Sequence, residues 1–150
     1  MLAMAAWLGA ALITAAVVAP AAFAVLPTRT MAGTLVGKVL PVVFIAGIVA
    51  GLAVAAVVAA SSGVAGPSRK AFIAALVVAA SCGLAQFVVT PKLDQLRARI
   101  GGPVDALAAD DPRRVAFGLF HGYSVAGLGL ALAGAVACLV FLSFALRPRR

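Results

Sequence analysis

The sequence predicts an all-α integral membrane protein, a four-helix antiparallel bundle with an amphipathic helix or loop between helices 3 and 4. Three observations carry that expectation. Apolar runs of 18 or more residues with almost no charge recur four times, each long enough to cross a hydrocarbon core of ~30 Å. Mean hydropathy is +1.18, with 65% hydrophobic and only 11% charged residues, too little charge to coat a soluble domain. The twelve Lys and Arg lie at the ends of the runs or in the connections, as membrane anchoring and orientation require. The net charge of +8 therefore implies no nucleic-acid partner, which would need a basic face with interleaved aromatic rings. The expected surroundings are the lipid bilayer. One four-span domain covers 1–150, with helices at about 2–26, 32–60, 71–90 and 112–146.

Segment one holds Ala22-Phe23-Ala24, which imitates a signal-peptidase site. Against cleavage stand the absence of Lys and Arg ahead of the run, Pro20 just before the site, and an apolar stretch longer than a usual signal core. The segment is expected to remain as a span. Trp7 near one end reads as an interfacial anchor, and Pro20 predicts a kink that neighbouring helices must accommodate.

After the short connection 27–31, segment two has 29 residues, about 43 Å of helix at ~1.5 Å per residue. That exceeds the ~30 Å core, so its first turns belong in the headgroup region, where Lys38 can snorkel. Pro41 is placed to bend the helix at that boundary. Gly33/Gly37 and Gly47/Gly51 are small-xxx-small pairs that permit close helix approach. The stretch 61–68 is a turn, with Ser68 suited to cap the next helix and Arg69 and Lys70 at its start.

Segment three carries one strongly polar side chain, Gln86. Beyond Pro91 a helical pattern resumes, with Leu93, Leu96 and Ile100 on one face and Lys92, Asp94, Arg97 and Arg99 on the other. This is either a surface helix lying in the interface or a solvated extension of segment three; both end at Gly101-Gly102-Pro103. All four acidic residues, Asp94, Asp105, Asp110 and Asp111, fall in this region. Asp111-Pro112 is a helix start, Asp as N-cap and Pro at the first helical position. Segment four then runs to the closing Arg147-Pro148-Arg149-Arg150.

Four antiparallel spans put both termini and the 61–68 turn on one side, and connection 27–31, Lys38 and the long loop on the other. Near that loop side lies 117–128, which holds the single histidine, His121, and the single tyrosine, Tyr123. Lys38, Gln86, Thr90, His121, Tyr123 and Ser124 converge on one half of the membrane, with Gln86 and His121 expected at similar depth. The opposite half is nearly pure Ala, Val, Leu and Gly. Polar groups inside spans usually face the bundle interior or a cavity, so these six form the candidate binding pocket.

Each has a plainer reading. His121 can be a packing residue bonded to Gln86, Ser124 or a carbonyl rather than a ligand or proton relay, and Lys38 can simply snorkel. No Ser-His-Asp arrangement is indicated, so no catalytic residue is expected. One histidine and two thiols, Cys82 and Cys138, at different depths cannot close a four-coordinate metal site. His121 remains the one candidate metal ligand, and only a dimer would pair two of them on a haem. The depth difference also leaves Cys82 and Cys138 as buried free thiols rather than a disulfide.

Leu26-Pro27-Thr28-Arg29-Thr30-Met31-Ala32-Gly33, then Gly37-Lys38-Val39-Leu40-Pro41, resembles the first loop and second-helix start of the transmembrane protein 205 family. Thr90-Pro91-Lys92, Asp111-Pro112 and Phe120-His121-Gly122-Tyr123-Ser124 resemble that family's later motifs in the same order. The chain departs from the family at Leu128, where an asparagine is frequent. The resemblance implies a four-span membrane protein with no catalytic residues to carry over. A more distant similarity is to copper-resistance D-type four-helix membrane domains, some of whose relatives handle copper or haem.

Three functional readings follow. One is small-molecule or ion transport or permeability through the polar half-membrane pocket. Another is a haem- or copper-binding redox or assembly protein using His121; no cofactor is otherwise expected. The last is an accessory structural subunit whose Gly/Ala-rich helix faces pack against a second copy or another membrane protein. The expected location is the cell inner (plasma) membrane. Cytoplasmic termini are expected, because Arg69, Lys70 and the three tail arginines have no acidic neighbours.

Overall fold

Residues 1–62 and 66–145 are described by a computed structural model of the chain. Helix α1 comprises Leu2–Ile13, a π turn at Thr14–Val18, and Ala19–Val25. Helix α2 is Arg29–Ser62. Helix α3 runs through Gly66–Leu84, a π turn at Ala85–Val89, and Thr90–Ile100. After a 3₁₀ turn at Val104–Ala106, helix α4 is Pro112–Ala145. All four are long and apolar enough to cross a membrane, and no strand occurs among the described residues. Parts of the predicted 61–68 turn, at 63–65, and the tail 146–150 lie outside the described residues.

Helix boundaries moved for local reasons. Helix α2 starts earlier than position 32 because Thr28 caps it, accepting the Met31 N–H on Oγ1 at 3.2 Å and the Ala32 N–H on its carbonyl at 3.1 Å. Ser68 does not cap α3, which already begins at Gly66, where φ is +55°. At Pro91 the helix continues, so the surface-helix alternative gives way to an extension of α3, closed by left-handed Gly101. Asp111 caps α4 as expected, accepting the Arg113 N–H at 2.8 Å. The Arg113 side chain, then its N–H, hold the Asp111 carboxyl down from 3.8 to about 2. This cap is therefore complete above pH 3.8 and is lost as pH falls through about 2.

Both π turns precede a proline. A proline ring crowds the carbonyl four residues back and offers no N–H. In a π turn the bond reaches one residue further: Ala19 N–H to the Thr14 carbonyl ahead of Pro20, and Thr90 N–H to the Ala85 carbonyl ahead of Pro91. The Thr90 hydroxyl also donates to the Ala85 carbonyl at 2.9 Å, so the widened turn keeps its acceptor satisfied.

The helices form a closed ring in chain order, with α3 packed against α2 and α4, and α1 bridging α2 and α4 on the far side. Small residues set the spacing. A Cβ on Gly51 would stand 2.7 Å from the Ala75 carbonyl, and one on Gly134 would stand 3.2 Å from Val78. Gly47 is tighter still, its hypothetical Cβ 2.6 Å from the Cys82 sulfur and 2.8 Å from the Trp7 ring. Of the two predicted pairs, Gly47/Gly51 is a helix contact, whereas Gly33 faces open space. Trp7 is not an interfacial anchor. It is buried, and its indole N–H donates to the Val43 carbonyl at 2.8 Å, because a buried N–H needs an acceptor. Cys82 and Cys138 are buried and free.

A cationic cavity at the loop end of the bundle

The register of α3 and α4 places the polar residues. Gly127 lies beside Ala85, and Gly134 beside Val78, so the two helices run antiparallel with small residues in contact. Counting six residues toward the loop from Gly127 and from Ala85 brings His121 level with Pro91, next to Thr90. Gln86 is therefore about five residues of α3 deeper than His121, not at the same depth, because α3 runs on past Pro91 instead of ending at Thr90.

At this end α2, α3 and α4 enclose an open cavity of about 510 Å³. Each helix contributes a stripe at helical spacing. From α3 come Thr90, Leu93 and Arg97, and from α4 come Arg114, Phe117, His121 and Ser124. Helix α2 supplies Arg29, Thr30, Thr34, Gly37 and Pro41, while Phe23 of α1 and Val104 and Asp105 of the loop close the margin.

Arg97 ties the three helices together. Its Nη1 lies 3.0 Å from Asp94 Oδ1, its guanidinium stands 5.4 Å from the centre of the Phe117 ring, and it rests against Gly37. A Cβ at residue 37 would stand 3.4 Å from Nη1, in ordinary van der Waals contact, so the guanidinium packs directly against this face of α2. Arg114 donates to the Leu107 carbonyl at 2.7 Å, which pins the loop over the cavity. Phe117 and His121 stack with parallel rings 6.5 Å apart.

Of the six candidate pocket residues, Thr90, His121 and Ser124 line the cavity. Lys38 and Tyr123 are exposed and outside its lining, with Tyr123 edge-on to Phe120 at 6.0 Å. Gln86 is half-buried, also outside the lining, and its Oε1 is buried without a hydrogen-bond partner. Among the described residues no three His, Cys, Asp or Glu side chains gather where a metal could sit. The residues that sequence reading passed over are Arg29, Arg97 and Arg114, taken there only as anchors. Their signal is the spacing: Thr90, Leu93 and Arg97 share one face once the helix is known to pass Pro91.

Residues 2–101 match a family described as Domain of unknown function (DUF4149). The chain belongs to the DUF4149 family. The match covers α1 and α2, all of α3 and the first residue after it, and so takes in the α2 and α3 walls of the cavity. No curated protein and no solved structure matches the chain. With four spans and this family, the protein is a multi-pass membrane protein.

Proposed function

We propose that this DUF4149 protein binds a small molecule or ion in the loop-end cavity and mediates its passage across the membrane. The observation that supports this reading is the cavity's composition. Three arginines, a histidine and three threonines line it, in a chain with only 11% charged residues. Its volume of about 510 Å³ lies within the ~300–1,000 Å³ of typical small-molecule sites. Polar side chains are costly in a membrane protein unless they face such a space.

The ordered motifs that resemble the transmembrane protein 205 family support placing the chain beside it. The expected location is the inner membrane. Cytoplasmic termini are favoured by five uncompensated cations on the turn-and-tail side, against seven on the loop side that share their surface with four aspartates.

The test is solute release from proteoliposomes, using carboxyfluorescein as an anion, a rhodamine as a cation and glucose as a neutral solute. Wild-type protein is expected to accelerate release of at least one of them over empty liposomes. His121→Ala and Arg97→Ala should abolish the acceleration, while Lys38→Ala, outside the cavity, should retain it. Unaccelerated release of all three, or loss with Lys38→Ala alone, would count against the reading.

A further inference from the structure

We infer that the cavity's ligand is an anionic amphiphile, a molecule with a phosphate or carboxylate head and an apolar tail. This rests on the reading that the cavity binds a small molecule, and it names the chemical class. The cavity is divided along the helix axes. Arg29, Arg97 and Arg114 stand at its loop end, with Asp105 the one acidic side chain in the lining. Arg97 already has Asp94, whereas Arg29 has no ion-pair partner among the described residues, so the loop end carries surplus positive charge.

Toward the membrane the lining changes to Leu40, Pro41, Leu93 and Phe117, relieved only by hydroxyls and the His121 ring. From Arg29 to Pro41 is twelve residues of α2, about 18 Å at ~1.5 Å per residue, and from Arg114 to Ser124 is ten residues of α4, about 15 Å. A free anion such as phosphate would use only the upper third of that length. A neutral apolar ligand would leave the positive charges of Arg29 and Arg114, which have no ion pair among the described residues, without a counter-charge.

The outer end lies at headgroup depth. Helices α2, α3 and α4 have 33 to 35 residues in their spanning helices, about 50 Å, so roughly 20 Å of each extends beyond a ~30 Å core. Helix α1 has only 24 residues, about 36 Å, and reaches the cavity through Phe23 alone. Guanidinium groups pair with phosphate or carboxylate oxygens in bidentate fashion, and several in one space set head-group charge. The head is therefore held among the arginines and the tail lies along the lower wall.

The test uses the full chain in phosphatidylcholine nanodiscs and radiolabelled dodecyl phosphate. Saturable binding of about one molecule per chain is expected, with dodecylphosphocholine, which has the same tail but no net charge, competing about tenfold less well or worse. Inorganic phosphate, lacking the tail, should compete less by about a hundredfold or more. Arg97→Gln and Arg114→Gln should each weaken binding about tenfold. Arg29→Gln, which breaks no internal pair and so leaves folding alone, should weaken it about threefold. Lys38→Gln, removing an equal charge outside the cavity, should change nothing.

Equal competition by dodecylphosphocholine or by inorganic phosphate, or an equal loss with Lys38→Gln, would overturn the inference. Dioleoyl phosphatidate separates the two sources of such a head: full competition assigns a bilayer lipid, and weak competition a free single-chain amphiphile, either within the proposed class. Solute release without dodecyl phosphate binding would defeat this inference and leave transport standing. Binding without release of any solute would do the reverse.

Discussion

At the scale of single residues, glycine decides how closely the helices meet. Gly47 sits where a methyl group would overlap both the Cys82 sulfur at 2.6 Å and the Trp7 ring at 2.8 Å. Neither neighbour has room to withdraw, since Cys82 is fully buried and Trp7 is held by its bond to Val43. Gly47→Ala is therefore expected to destabilise the bundle by about 1–3 kcal/mol, read from unfolding in mixed detergent and dodecyl sulfate micelles. Gly33→Ala, facing open space, should be neutral or slightly stabilising because alanine favours helix. Equal effects of the two would show that close approach at Gly47 does not limit packing. The sequence contained both pairs with the same spacing, and nothing in spacing separates a glycine against a neighbouring helix from one facing open space. Composition, span number and the Asp111 cap were legible because each depends on neighbours in the chain. The burial of Trp7 was not, because its acceptor lies 36 positions away.

At the scale of elements, the π turns explain what the proline pattern left open. Pro91 read equally well as a helix end or an interruption, because a proline signal reports the missing N–H and not how the backbone adapts. The π turn at Ala85–Val89 carries α3 onward, and that continuation delivers Arg97 to the cavity. Helix α1 has a π turn of the same kind but a different role. It buries only Met4, Trp7, Ala11, Thr14 and Ala22 of its length and leaves Leu12, Ile13, Val17 and Phe23 exposed, so few side chains dock it to the bundle. Elements with few buried contacts open first. Trp7 is the single tryptophan, so its emission reports the docking of α1 on α2. On titration with dodecyl sulfate, the Trp7 emission change should precede the loss of helical circular dichroism. Trp7→Phe, which deletes the bond to Val43, should cost about 1 kcal/mol in unfolding of the remaining helices. Coincident emission and dichroism transitions would mean that α1 is integral to the bundle.

At the scale of the molecule, polarity is divided between the two ends. The loop end holds the acidic residues, the arginine-lined cavity and the surplus helix length, while the turn end offers Lys70 resting over the Phe141 ring at 5.6 Å and a core of alanine and valine. The cavity lies at one end of the bundle, so the direction of the chain in the membrane decides which compartment it lies nearer and is a functional quantity. The positive-inside bias is read over short connections, and the turn and tail carry five cations without acidic neighbours, one of the loop side's seven, Lys38, being inside a helix. The expected arrangement therefore has the turn inside the cell and the cavity opening outward. Two single-cysteine variants check it in a Cys82→Ala, Cys138→Ala background: Ser61→Cys at the end of α2, and Ala109→Cys in the loop before α4, both at exposed positions. A membrane-impermeant maleimide added to intact cells should label Ala109→Cys at once and Ser61→Cys only after lysis. The opposite pattern would invert the chain and give the cavity a cytoplasmic supply. Labelling of both from one side would break the four-span topology itself, because the single crossing of α3 between them is what puts these two connections on opposite faces.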